Sequence, residues 1–427
     1  MISPHFPPDS SAGTHRVRLL APHLPAYGWT PTVLTVAEQD YESRLDPELA
    51  ALVPPSLKIV RSRALAPAVT RRIGIGDLGL RALPGLYRAA RRLFDAHRFD
   101  AAFITIYPTY PAVLGPMLKR RFHTPFVLDY QDPWVGAWGA TVGGGAEGAV
   151  DAKSRSTRAI AERLEPRVLR AADAVTAVSA RTYEDAIART GATPRATAEI
   201  PIGWDAGDVD ALATRENRPR LIAADGRVHF CYTGTILPLG VGIVRALFTA
   251  LRGLIDRDPA MADRVRLDFF GTSNQTAGGP PRVLPVAAEL GVTGLVTEQP
   301  ARLDYLDALA VLRQADALLL LGSAEPHYTP SKIFPALLAG RPMLAVYHSA
   351  STAVTILRDA APPPAARIIT FDEGHPLETT IPCLVEALQG IVTSPAQRVT
   401  INRLVLEPWS ARTLAGRLAA VCDQVAA

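Results

Sequence analysis

Lysine is nearly missing from this chain. Of 45 Lys+Arg in 427 residues, only Lys58, Lys119, Lys153 and Lys332 are lysines. Most of that bias reads as a codon preference, but it singles out Lys332, the only lysine in the last two-thirds of the sequence. Cysteine is scarce as well. The three, Cys231, Cys383 and Cys422, lie far apart without C-x-x-C spacing, which excludes a disulfide framework and a zinc knuckle. There is no uninterrupted 18-residue apolar run, so no membrane-spanning helix is expected. The start, MISPHFPPD, has neither the basic nor the apolar region of a secretory signal. It reads as the tail of a first strand whose beginning lies upstream. No H-E-x-x-H, EF-hand or Cys/His cluster appears, so no metal is expected.

What is present is the composition of a two-domain globular protein: 48% hydrophobic and 20% charged residues over a length too great for one core. Net charge is +4, carried mainly by the first half. It forms no dense basic stripe of the kind that binds nucleic acid, and no nucleic-acid partner is expected. These features fit a reducing, cytoplasmic setting. Residues 61–98 do concentrate nine arginines among apolar side chains. That stretch is either a solvated exterior or a basic amphipathic surface for peripheral contact with an anionic membrane.

Strands and helices alternate throughout. AAFITIY (101–107), PFVLDY (125–130) and AVTAVS (174–179) are near-continuous apolar runs of the kind buried on both faces of a parallel sheet. Residues 14–27 and 84–97 read as helices, and 141–149 as a flexible loop. The alternation restarts at VHFCYTGT (228–235) and runs through ALLLLGS (317–323) and RPMLAVY (341–347). The fold class is therefore α/β, with two facing Rossmann-like domains, parallel sheets and a cleft between them. Residues 1–205 form the first domain, 206–227 a linker and 228–400 the second domain. Residues 401–427 form a helical segment packing back on the first domain.

Chemistry is sought just after strands, where open parallel sheets bind ligands. TPSKIFPALLAGRPMLAV (329–346) joins Ser331 and Lys332 to the start of a helix. A hydroxyl, an ammonium and free helix N–H groups suit a phosphate or diphosphate; a plain capped helix is the alternative. Gly234 and Thr235 follow a strand, where a glycine either lets backbone N–H groups approach a phosphate or simply turns the chain. Asp208-Val209-Asp210 matches a metal-binding D-x-D by composition only and lies in the expected linker.

The stretches HFPPDSSAGTHRVRLLAPHL, FVLDYQDPW, ADAVTAVSA, EIPIGWD, FCYTGT, QADALLLL and PSKIFPALLAGRPMLAV occur in the order found in one family. Through them the chain resembles GT-B glycosyltransferases, most closely glycosyltransferase family 4 of bacterial polysaccharide and glycolipid synthesis. The resemblance implies transfer of a hexosyl group from a nucleotide-diphosphate sugar, with retention and without metal or other cofactor. The acceptor would be a glycan, a lipid-linked or a small molecule, and the setting cytoplasmic or peripheral at the inner face of the membrane. It places Ser331 and Lys332 at the donor diphosphate, with Gly234 and Thr235 beneath it. Gly13 would line the acceptor side and Arg16 reach toward phosphate. Asp132 would orient the acceptor hydroxyl or the sugar, and His327 would touch the sugar. Two glutamates common in the family are replaced here by His327 and Pro335, and a common Arg by Thr235. Those replacements support one alternative, a GT-B-shaped scaffold without turnover.

Overall fold

A computed structural model describes residues 1–135, 152–213, 220–273, 278–324, 331–395 and 398–427. The chain divides into two compact units, Met1–Asp205 with Trp409–Ala427, and Ala206–Pro408.

In the first unit, β1 (Thr32–Val36) pairs in parallel with β2 (Lys58–Ser62), and β3 (Ala102–Ile106), β4 (Phe126–Tyr130), β5 (Ala174–Ala177) and β6 (Ala196–Glu199) pair successively in parallel. Ile2 joins the two arrays by bridging Leu34 and Ile104. The resulting order, β2-β1-Ile2-β3-β4-β5-β6, is doubly wound, reversing direction between Ile2 and β3. β3 and β4 are buried along their whole length, as expected for strands covered on both faces. One face carries the helix Leu78–Ala96; the other carries the helices Thr14–Leu20 and Ala411–Ala426, with Val17, Leu20, Leu414, Leu418 and Cys422 in one cluster.

The Leu78–Ala96 helix begins six residues before the expected start at 84. Asp77 caps it, accepting the Leu80 N–H at 2.9 Å, and Pro84 is carried inside it. The expected helix 14–27 is α-helical only to Leu20, because Pro22 and Pro25 leave the rest as a 3₁₀ segment ended by Gly28 at φ 82°. Four of the nine arginines in 61–98 are paired with acids: Arg61–Glu38, Arg63–Asp40, Arg71–Glu42 and Arg81–Glu42. Leu65 and Val69 remain exposed beside them. The expected loop 141–149 lies outside the described residues.

The second unit holds one parallel six-stranded sheet of β7 (Val228–Thr233), β8 (Val265–Phe270), β9 (Val296–Gln299), β10 (Ala317–Leu321), β11 (Met343–His348) and β12 (Ala366–Phe371). Its order is β12-β11-β10-β7-β8-β9, reversing between β7 and β10. Residues 206–227 are not wholly a linker. Ala206–Ala213 is a helix of this unit, and its buried Asp208 accepts a hydrogen bond of 2.7 Å from the Tyr305 hydroxyl. The stretch Pro238–Arg257 is long and apolar enough to cross a membrane by length and composition. Half of it is buried, and Val244, Leu247, Leu251 and Leu254 pack into the domain core.

Candidate functional site

In a doubly wound sheet the crevice forms where neighbouring strands send their chains to opposite faces. In the second unit that point lies between β7 and β10. The segment after β7 (Gly234–Gly240) and the segment after β10 (Gly322–Ala324) meet there, with the Ala324 N–H donating to the Leu239 carbonyl at 3.3 Å. The helix after β10, Ile333–Ala339, has Lys332 as its N-cap.

Lys332 lies across the start of the Gly234 loop. Its Nζ donates to the Tyr232 hydroxyl at 3.1 Å and to the Thr235 carbonyl at 3.4 Å, and stands 5.1 Å from the centre of the Tyr232 ring. Gly234 has φ 125°, and a Cβ built on it would lie 2.2 Å from Nζ. The glycine thus supplies the space that the ammonium occupies. Tyr232 is buried, which pushes its hydroxyl well above the ordinary range and keeps it a neutral partner. Sequence reasoning passed over it because a tyrosine within an apolar strand reads as core.

Two details of the expected chemistry change. The Gly234 N–H donates to Phe270 O at 2.7 Å and the Ile236 N–H to Thr272 O at 3.0 Å, continuing the pairing with β8. Those two amides are occupied, so the contribution of Gly234 is space rather than an N–H. Ser331 is not the N-cap; Lys332 takes that position, without a side-chain capping bond. With the helix starting at Ile333, Pro335 falls in the first turn, whose N–H groups have no helical partner anyway, so its missing N–H removes no helix bond.

The first unit sorts its candidates differently. Arg16 is buried, neither a solvated residue nor one reaching toward phosphate. Its Nε and Nη2 donate to the Asp129 carboxylate at 2.9 and 2.5 Å, and Nη1 donates to the Ile200 and Pro201 carbonyls. Thr176 Oγ1 completes the carboxylate at 2.6 Å. Arg16 is therefore a structural ion pair tying its helix to β4. Gly13 is buried against Tyr107, and a Cβ there would lie 2.2 Å from the ring's Cδ1. Asp132 follows β4 and is exposed, while the protein around it still raises its carboxyl above the usual range. His327 lies outside the described residues.

One cluster escaped sequence reasoning. Asp9 is fully buried and accepts from His5 Nδ1 at 2.6 Å, Ser11 Oγ at 2.5 Å, Thr14 Oγ1 at 3.0 Å and Ser43 Oγ. These bonds outweigh burial and bring its carboxyl down to about 2. The polar run after Pro8 was the available signal, but Ser43 comes from a distant loop.

Residues 12–203 match the family model described as glycosyl transferase 4-like domain. The first unit carries a glycosyl transferase 4-like domain. Around it, the whole chain has the GT-B fold. It aligns with the crystal structure of Anabaena HepE in complex with UDP and glucose at 16% identity and TM-score 0.55, over 97% of this chain and 98% of that one. It aligns with the glycosyltransferase of Rickettsia africae at 12% identity and TM-score 0.55, over 99% and 98%. With the N-terminal domain of Candida albicans trehalose-6-phosphate phosphatase the figures are 12% and 0.59, over 99% and 96%. D-inositol 3-phosphate glycosyltransferase of Geodermatophilus obscurus is 32% identical over 151 residues, 33% of each chain. That match spans about a third of the curated relative's length.

Proposed function

We propose that this chain is a glycosyltransferase that moves a sugar from a nucleotide-diphosphate sugar to a hydroxyl acceptor, with retention and without a metal. The observation that carries the reading is Lys332 Nζ lodged over Gly234 at the switch point of the second sheet. A diphosphate leaving group gains negative charge as the glycosidic C–O bond breaks. A preorganised ammonium beside a helix start stabilises that charge in the transition state more than in the ground state.

In this reading Ser331 and Lys332 hold the diphosphate, and Gly234 and Thr235 form the floor. No side-chain nucleophile is assigned. The acceptor hydroxyl attacks from the face the diphosphate leaves, and a departing phosphate oxygen takes its proton. Asp132 and His327 orient the sugar or the acceptor, and Gly13 lines the acceptor side. Arg16 has no part, its donors being used within the fold. UDP-sugars are the first donors to test, given the UDP and glucose named for HepE. Polyol phosphates are the first acceptors, given the inositol phosphate enzyme; glycans and lipid-linked sugars follow. A cytoplasmic setting with peripheral contact through 61–98 fits the exposed Leu65 and Val69 among arginines.

The scaffold alternative rested on Thr235 and Pro335. Thr235 holds Lys332 through its backbone carbonyl, which any residue there supplies, and Pro335 costs no helix bond. Neither favours a chain without turnover. The test is binding and hydrolysis of UDP-, GDP- and dTDP-sugars by wild type and Lys332→Ala. Binding that weakens in the variant is the expected result. No binding of any donor at millimolar concentration overturns the transferase reading.

A further inference from the structure

The first sheet has a switch point of its own, between Ile2 and β3. The chain leaving Ile2 brings His5 there, and the chain leaving β3 brings Tyr107. Their ring centres are 5.4 Å apart, and the His5 ring also stacks on Tyr41 at 6.2 Å and 16°. His5 keeps 15% of its side chain exposed, whereas its partner Asp9 has none. Asp9 stays ionised at neutral pH, because four side chains hydrogen-bond to its carboxylate. An ionised carboxylate only accepts, so His5 Nδ1 carries the hydrogen and Nε2 is left with the lone pair. Among the described residues Nε2 has no hydrogen-bond partner. A buried carboxylate fixing the tautomer of a half-covered imidazole between two aromatic rings is more than loop closure requires.

We propose that the crevice at His5 is the acceptor subsite and takes a ring polyol, a saccharide or cyclitol, whose reacting hydroxyl donates to His5 Nε2. This rests on the transferase reading and deepens it. Asp9 acts through His5 as a positioning residue. Tyr41 and Tyr107 hold the imidazole plane, and their rings offer flat walls of the kind that C–H faces of a polyol ring pack against. Gly13 keeps the crevice formed, since any side chain there would displace the Tyr107 ring.

The experiment uses the full chain labelled with ¹⁵N-histidine, with myo-inositol, inositol 1-phosphate and methyl α-glucoside as probes. The His5 signals are identified by their loss in His5→Ala. In wild type His5 is expected as the Nδ1–H tautomer, and its Nε2 resonance is expected to move with at least one probe. His5→Ala is expected to weaken that probe about tenfold or more, about 1.4 kcal/mol, and to leave UDP binding within about twofold. Asp9→Asn is expected to lose the single tautomer. His5→Gln retains a side-chain acceptor oxygen, is expected to recover part of the affinity, and carries the test if His5→Ala does not fold. Equal probe affinity in the His5 variants, or a His5 resonance unmoved by every probe, overturns the proposal. UDP binding is read in a separate titration, so its failure in wild type overturns the donor reading and is not confused with failure at His5.

Discussion

The ammonium of Lys332 fills the place where a side chain on Gly234 would begin: a Cβ there would be 2.2 Å from Nζ. Two residues about a hundred positions apart are thus a single device, a cation and the gap that seats it.

Gly234→Ala tests the gap. The lysine tip is flexible and moves aside, but φ 125° is poorly tolerated by any residue with a Cβ. The expected cost is about 1–3 kcal/mol of stability, seen as a lower Tm in a thermal melt. Donor affinity should fall as well, because the displaced ammonium leaves its place.

Lys332→Ala tests the cation. Hydrogen bonds to charged groups contribute about 1.5–3 kcal/mol, so nucleotide-sugar affinity should fall about tenfold to a hundredfold by calorimetric titration, with Tm little changed. Lys332→Arg should not restore it, since a planar guanidinium does not fit the space over Gly234 between Tyr232 and the Thr235 carbonyl. Donor affinity unchanged in the alanine variant would sink the site assignment.

Arg16 gives the opposite pattern. Removing one member of a buried, hydrogen-bonded ion pair costs about 3–5 kcal/mol. Arg16→Met should lower the urea midpoint sharply. Arg16→Met with Asp129→Leu should recover much of the loss, since the uncompensated buried charge is then gone. A variant of normal stability with impaired donor binding would contradict the structural role.

His229 supplies the pH dependence. It lies near the start of β7, away from the site. Its Nδ1 contacts Asp268 at 2.6 Å and its Nε2 contacts Asp225 at 3.0 Å. The hydrogen bond with Asp268, then that with Asp225, raises its folded pKa above the ordinary 6.5 against the opposing effect of burial. The folded chain therefore keeps a proton that the unfolded chain releases. The stabilisation is fully present below pH 6.5 and is lost as pH rises through the raised value. Urea unfolding of wild type should show that decline between neutral and mildly alkaline pH, and His229→Gln should flatten it.

Much of the architecture was legible in the residues. AFITI, FVLDY and ALLLL are apolar throughout because strands covered on both faces have no polar side, and they became β3, β4 and β10. The helix beginning at Leu78 was misplaced because Pro84 is a common first-turn residue, and nothing local shows that a helix capped at Asp77 runs through it. The helix in 206–227 was missed because its polar, proline-bearing surroundings resemble a linker. Its anchor, the Tyr305 hydroxyl on Asp208, comes from far along the chain.

The site divides in the same way. Ser331, Lys332, Gly234 and Thr235 could be named from their places after strands, which is a local property. That Lys332 rests on Gly234, that the Gly234 amide is already bonded to β8, and that Arg16 is interior could not be named that way.

The sequence by itself determined the alternation of elements, two sheet-forming halves, and the unusual position of one lysine in a chain of arginines. These follow from periodicity and composition, which each segment carries alone. Only the tertiary structure decided which charges are spent and which are set out for a ligand. Arg16 finds Asp129 across 113 residues and is consumed. His5 finds Asp9 nearby but depends on Ser43 and Tyr107 to be held. A charged side chain's role is set by the partners that folding brings to it, and those partners lie in segments no local pattern connects.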